Sequence, residues 1–122
     1  MSGQLNSVAV LKLAAAAAVT ASGNGSSVDL LAYDGNMTLT LNSAATNGAN
    51  VTLDVKIQHS SDNSTWSDSG VAFSQVTNAA ASFQNLYVTS EQFKRYIRVV
   101  DTVAGTSPSV PRAVTAVAKA AR

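Results

Sequence analysis

From Val51 to Gln58 the chain alternates oily and wet side chains without a break. Val51, Leu53, Val55 and Ile57 fall on one parity; Thr52, Asp54, Lys56 and Gln58 fall on the other. Successive side chains of an extended strand point to opposite faces, so this run is a strand with one face for a core and one for water. Ser60 to Ser64 follow with turn chemistry, because Ser, Asp and Asn side chains bond their own backbone. Trp66, the sole indole, then brings the chain back toward the oily side. The stretch predicts a β-hairpin feeding a core. A buried Trp66 there makes Trp66→Ala an expected loss of about 3–5 kcal/mol, as for other large-to-small core changes.

The same period recurs along the chain. Val28 to Tyr33 reads as a short strand, Asp34-Gly35 as a tight hairpin turn in which Gly takes a positive φ, and Met37 to Leu41 as the returning strand. Asn42 to Asn50 is a polar loop with Asn47-Gly48 at its tip. Ser69 to Val76, Ser82 to Thr89 and Arg95 to Val103 supply further strands, with a corner or single helical turn at Ser90 to Phe93. Val110 to Lys119 makes the last strand. Pro108 and Pro111 cannot donate to a ladder, so this strand is expected to start at a sheet edge. Seven or eight short strands with turn signals every 8 to 12 residues predict an all-β antiparallel sandwich, immunoglobulin-like or jelly-roll-like.

Gln4 to Ser22 is the ambiguous segment. Its five consecutive alanines favour helix by propensity, but Val8 to Leu13 has no stripe at 3.6-residue spacing. An extended arm lying on an apolar surface fits better. The expected division is therefore an N-terminal arm and flexible turn over residues 1–25 and a sandwich domain over 26–122.

Composition narrows the function. At 122 residues the chain is one domain, large enough to bury a core. It has no cysteine, which excludes disulfides and thiolate metal sites. Only 12% of residues are charged and the net charge is +1, a poor electrostatic footprint for nucleic acid. The longest apolar run, Leu13 to Val19, is far below the roughly 18 residues of a membrane-spanning helix. Val19-Thr20-Ala21 resembles a signal cleavage site, but Met1 to Leu11 carries no basic side chain, which argues against a secretory signal. What is left is a surface of Ser, Thr, Asn and Ala, suited to packing against other protein because few ions need desolvating.

No constellation announces a reaction. His59 is the only histidine; a nucleophile relay through it would need Ser60 and Asp54 or Asp62 in line, and no strained nucleophile elbow accompanies them. Asp62 to Asp68 resembles a calcium loop superficially, yet lacks glycine at the sixth position and has Phe73 at the twelfth, where a bidentate Glu is required. Lys94, Arg95 and Arg98 among Phe93 and Tyr96 form the one basic cluster, read as a protein-facing salt bridge in preference to a base-stacking site. No enzyme activity and no cofactor are expected.

The order of phrases carries a resemblance. Ser26-Ser-Val-Asp-Leu-Leu-Ala-Tyr-Asp-Gly35, then Val55-Lys-Ile-Gln-His-Ser-Ser-Asp-Asn-Ser-Thr-Trp66, then Lys94-Arg-Tyr-Ile-Arg-Val-Val100 and a terminal strand resemble a family of small tailed-bacteriophage and prophage virion proteins, regarded as head decoration or cement proteins. The likeness spans roughly residues 14 to 117, and the uninterrupted alanine run departs from it. The resemblance implies a virion location: a sandwich on the outside of an icosahedral capsid, assembled in the host cytoplasm. It also implies clustering as a dimer or trimer over junctions between subunits of the major capsid protein, with no membrane or nucleic-acid partner. On this reading Val8, Val10, Leu11, Leu13 and Val19 of the arm make the protein contact. The rival is a carbohydrate- or surface-binding sandwich of a phage tail or secreted protein, which an exposed Trp66 beside a groove would favour.

Overall fold

A computed structural model describes residues 8–120. Among the described residues the alternating pattern becomes nine strands in chain order: β1 (Val8–Val19), β2 (Gly23–Asn24), β3 (Val28–Asp29), β4 (Tyr33–Ser43), β5 (Thr52–Ser60), β6 (Ser67–Ala72), β7 (Ser82–Thr89), β8 (Tyr96–Ala104) and β9 (Val110–Ala120). A 3-10 turn, Ser90–Gln92, stands at the expected corner before β8. One sheet runs β1-β9-β4-β7; the other runs β2-β8-β5-β6, with β3 also on β8. Every pairing is antiparallel. The architecture is the expected all-β sandwich, with seven longer strands and two of only two residues.

Parity decides what lies between the sheets. Met37, Leu39 and Leu41 of β4 face Leu53, Val55 and Ile57 of β5 and Ile97 and Val99 of β8, all of them buried. Each such Leu or Ile contributes about 2 kcal/mol by leaving water. A one-residue slip of β5 would exchange its three apolar side chains for Asp54, Lys56 and Gln58, so the register is strongly specified. Opposite them β9 offers Val114, Ala116 and Ala118, small side chains that let the two layers close.

The largest departure from the predicted strands is at residues 28–43. Asp34-Gly35 makes no hairpin: β3 pairs with β8 in one sheet and β4 runs between β9 and β7 in the other. The chain crosses between layers after Leu30, which is buried. Gly35, at φ +78, supplies a bulge where the β4–β9 register slips between Asp34 and Met37. Its N–H is held by the Ser90 hydroxyl at 3.1 Å. A turn-prone dipeptide serves equally for a bulge, since both need the left-handed backbone.

The last strand also differs. β9 is not at an edge but lies between β1 and β4. Pro111 is tolerated just past the end of β4: its carbonyl accepts the Ala44 N–H at 2.9 Å, and the Ala44 carbonyl opposite the missing N–H is met by the Ser43 hydroxyl at 2.8 Å. The β8–β9 connection is latched to the loop before β5: Asn47 donates to the Ser107 carbonyl and accepts from the Ser109 N–H, both at 2.9 Å. There Gly105 (φ +106) lies so close to Asn50 that a Cβ would stand 2.4 Å from its carbonyl oxygen.

Residues 8–19 are extended, yet they are a full strand of the first sheet, paired with β9 from Val8–Lys119 to Val19–Val110; residues 4–7 of the expected arm lie outside the described residues. Register shifts at Lys12/Ala14 and Ala14/Ala17 put Leu13 and Ala14 both inward. At this bulge Arg112 reaches in from β9. Its Nε and Nη2 donate to the two carboxylate oxygens of Asp101 on β8, and its Nη1 donates to the Ala15 carbonyl at 2.8 Å. Both charged side chains are about nine-tenths buried. Removing one partner would strand the other charge, so Asp101→Ala should cost about 3–5 kcal/mol in a denaturant titration, while Arg112→Met with Asp101→Leu should restore most of it.

Candidate functional site

The sheet edges and the solvent faces are where this fold can meet a partner. Among the described residues β1 has β9 on one side and no strand on the other. An edge of this kind presents a row of free backbone donors and acceptors, and a charge-poor, alanine-rich edge does little to repel a further strand. Only Lys12 and the two register shifts interrupt it. Of the five arm residues expected at an interface, Val8 and Val10 are exposed (67% and 72%), Leu11 is half-buried, and Leu13 and Val19 belong to the chain's own core.

Val8 and Val10 share the outer face of the first sheet with side chains the sequence analysis did not single out. Val10 stands beside Val117, Val117 beside Thr38, and Thr38 beside Tyr87, so one row crosses all four strands. Phe83 lies four residues along β7 from Tyr87; both rings are exposed, at 68% and 79%. The signal was present in the sequence. Phe83 and Tyr87 share a parity opposite to Leu86 and Val88, and only the second pair turns inward. Beside β1, Ala16 to Ala18, Pro111 and Ala113, with Asn42 and Arg112, line a shallow depression of about 470 Å³ on this face.

The second sheet carries a polar outer face. Arg98 donates to the Gln58 side-chain oxygen at 3.0 and 2.7 Å, Gln58 donates to Asp68 at 3.0 Å, and Lys56 pairs with Asp68 at 3.0 Å. Trp66 is not in the core. It is half-buried on this face under the Arg98 guanidinium, whose carbon is 4.4 Å from the ring centroid. The turn that was expected to aim the indole inward instead lays it along the sheet surface. Arg95 of the same basic cluster forks onto Asp29 at 3.0 and 2.8 Å and so pins β3 to β8. The Arg95 guanidinium is the main reason the Asp29 carboxyl titrates below its ordinary range.

The residues considered for a relay do not point at one another. His59 Nδ1 accepts the Lys94 N–H at 3.1 Å, and its ring meets Phe93 edge-on at 6.5 Å. Burial, helped by the Lys94 charge, lowers its pKa and favours the neutral ring. Ser60 donates its hydroxyl to Asp62, not to His59. Asp62 Oδ1 also accepts the Ser64 and Thr65 N–H groups, each at 2.9 Å, with Asn63 in the left-handed region at φ 62. Its oxygens close the turn.

No family model matches the chain, and neither does any curated protein. Solved structures do share its fold. The PBSX exported protein XepA superposes with a TM-score of 0.60 at 19% identity, over all of this chain and 40% of that one. The SPBc2 prophage-derived protein YomS gives 0.55 at 8% identity, over 92% of each chain. The VP2 subviral particle of infectious bursal disease virus gives 0.54 at 14% identity, over 93% of this chain and 33% of that one. The chain thus spans less than half the length of XepA and a third of VP2. At such identities the likeness defines a class by fold: a two-sheet antiparallel sandwich with jelly-roll-like relatives.

Two outcomes follow from the side-chain placements. The turn contacts, the Thr65 N–H foremost, hold the Asp62 carboxyl at about 2, against an ordinary 3.8. A depressed carboxyl stabilises the fold fully above its unfolded value and loses that contribution as pH falls through the folded one. The Ser64 and Thr65 amide shifts should therefore titrate with a midpoint near pH 2; a midpoint near 4 would show that the carboxylate does not hold the turn. Trp66→Ala should lower stability by only about 1–2 kcal/mol, the scale of a cation–π contact plus partial burial, read from the denaturant midpoint.

Proposed function

We propose that this chain is a structural protein of a tailed-phage or prophage virion, a decoration protein that binds the outside of the capsid and braces contacts between major capsid subunits. The observation that carries the reading is the edge of β1, which no strand among the described residues covers. A strand or arm from a shell subunit that adds to it gains main-chain hydrogen bonds without any special side chain. The new strand would lie beside Val8 and Val10, whose exposed side chains then gain cross-strand apolar neighbours. Contacts of this kind are individually weak, but shell symmetry repeats them many times. The low charge supports the same reading, since little has to be desolvated as the surfaces meet. So does the fold, shared with a PBSX exported protein, an SPBc2 prophage-derived protein and a viral VP2. The reading calls on no cofactor.

Deletion of residues 4–22 is not a clean test, because it removes a strand of the sandwich and bares β9. Val8→Asp with Val10→Asp leaves the core intact. Each lost cross-strand pair is worth up to about 1 kcal/mol, so the double variant should bind particles lacking the protein about tenfold more weakly. Co-sedimentation with such particles measures this, and electron microscopy should show added density on the shell exterior. Wild-type protein that stays in the supernatant would refute the proposal.

A further inference from the structure

The outer face of the first sheet has a shape that fits itself. Its knobs are Phe83 and Tyr87 on β7, one edge of the sheet; its hollow, toward the other edge, is lined by Ala16 to Ala18, Pro111 and Ala113 together with Asn42 and Arg112. Knob and hollow lie at the same height along the strands, because Phe83 pairs with Asn42 and Asn42 with Ala113. The geometry points to a second copy of this chain as the occupant, packed face to face about a two-fold axis parallel to the strands.

That axis exchanges the two edges while keeping height. Each Phe83 then enters the partner's alanine hollow, and each Tyr87 covers the partner's Val10, since Tyr87, Thr38, Val117 and Val10 form one row. The exchange is reciprocal, as a two-fold interface requires. Large side chains meet small ones at both ends, which suits the roughly 10 Å spacing of packed sheets. A two-fold axis across the strands would instead press β7 onto β7, ring against ring, and leave alanines facing alanines across a void.

Charge agrees with the parallel axis. Lys12 lies in the row of Thr115, Thr40 and Asn85, so it comes to rest over the partner's neutral Asn85 and not over another lysine. Area sets the strength. Four strands at about 4.8 Å and about nine residues at about 3.3 Å give a face of roughly 550 Å². Two such faces bury roughly 1,100 Å², the low end for specific interfaces and the scale of a reversible dimer. The pairing uses side chains normal to the sheet and leaves the backbone edge of β1 free; Val10 belongs to both surfaces, so Phe83 and Tyr87, which touch the dimer face alone, are the residues that separate it from shell binding.

Sedimentation equilibrium of the full chain, without particles, tests it. The wild type should pass from monomer to dimer as concentration rises, and Phe83→Ser with Tyr87→Ser should stay monomeric with an unchanged melting temperature, because both rings are exposed. The chain has no cysteine, so disulfide trapping is clean: Phe83→Cys with Ala16→Cys should oxidise to a covalent dimer, because Ala16 lines the hollow at the end of the Phe83 row, and Phe83→Cys with Tyr87→Cys should not. A wild type that remains monomeric, an oligomer indifferent to Phe83 and Tyr87, or trapping by the second pair alone would each overturn the proposal. A monomer whose Phe83→Ser, Tyr87→Ser variant loses particle binding would assign the face to the shell instead.

Discussion

Most of the sandwich is closed by apolar contact, which is non-directional and tolerates small slides between layers. One end is different. There the fork between Arg112 on β9 and Asp101 on β8 joins the two sheets through a buried ion pair. Two charges removed from water cost several kcal/mol each, and only a complete fork with its extra hydrogen bonds offsets that cost. Partial alignment is therefore worse than none, so the pair specifies the offset of one sheet against the other. It reaches further than the two strands. The third arm of the guanidinium takes the Ala15 carbonyl, which the β1 bulge has turned away from the ladder, and so fixes the bulge too. Gly25 completes the seam: its N–H meets the Val99 carbonyl, and a Cβ there would press on that oxygen at 3.2 Å.

The layered fold was legible in the sequence because parity is a local property. Val51 to Gln58, Met37 to Leu41 and Ile97 to Asp101 each state which side chains go inward without reference to the rest of the chain. Pairing partners are not local. Asp34-Gly35 is the same dipeptide whether it reverses the chain or kinks one strand. What matters is non-local: Val28 and Asp29 pair with Ile97 and Tyr96 of β8 on the opposite sheet, and Leu30 is buried as the chain crosses, while the exposed Arg95–Asp29 fork adds little. Pro111 misled for a related reason. The rule that proline avoids central ladders concerns its missing N–H, and here the Ser43 hydroxyl supplies the donor that the Ala44 carbonyl opposite Pro111 would otherwise lack.

The interaction surface was less legible. The five apolar residues expected to make one contact divide by parity, with Val8 and Val10 on one side of the strand and Leu11, Leu13 and Val19 on the other. Leu11 and Leu13 have the opposite parity to Val8 and Val10 and turn inward by plain alternation; the bulge adds only Ala14 to that side. Trp66 misled through size, since a large aromatic is expected to be covered. It is covered, but on one side and by Arg98, a cation it can attract without entering the core. Phe83 and Tyr87 went unremarked because an exposed aromatic on a strand shows itself only against the parity of its neighbours.

A sheet offers two kinds of surface, and they obey different physics. Its edge bonds in the plane through main-chain groups, whose geometry is indifferent to side-chain identity as long as nothing charged or bulky intervenes. Its face bonds along the normal through side chains, where shape decides. The alanine run serves both demands at once. At the edge it leaves the backbone unobstructed, and on the face it forms the hollow opposite the two β7 rings. Larger residues would fill that hollow, and charged ones would close the edge. On the proposed reading, this is why the segment departs from ordinary strand composition: poor β propensity is offset by its pairing with β9 and by the Arg112 contact, and the small side chains keep two orthogonal surfaces open to partners.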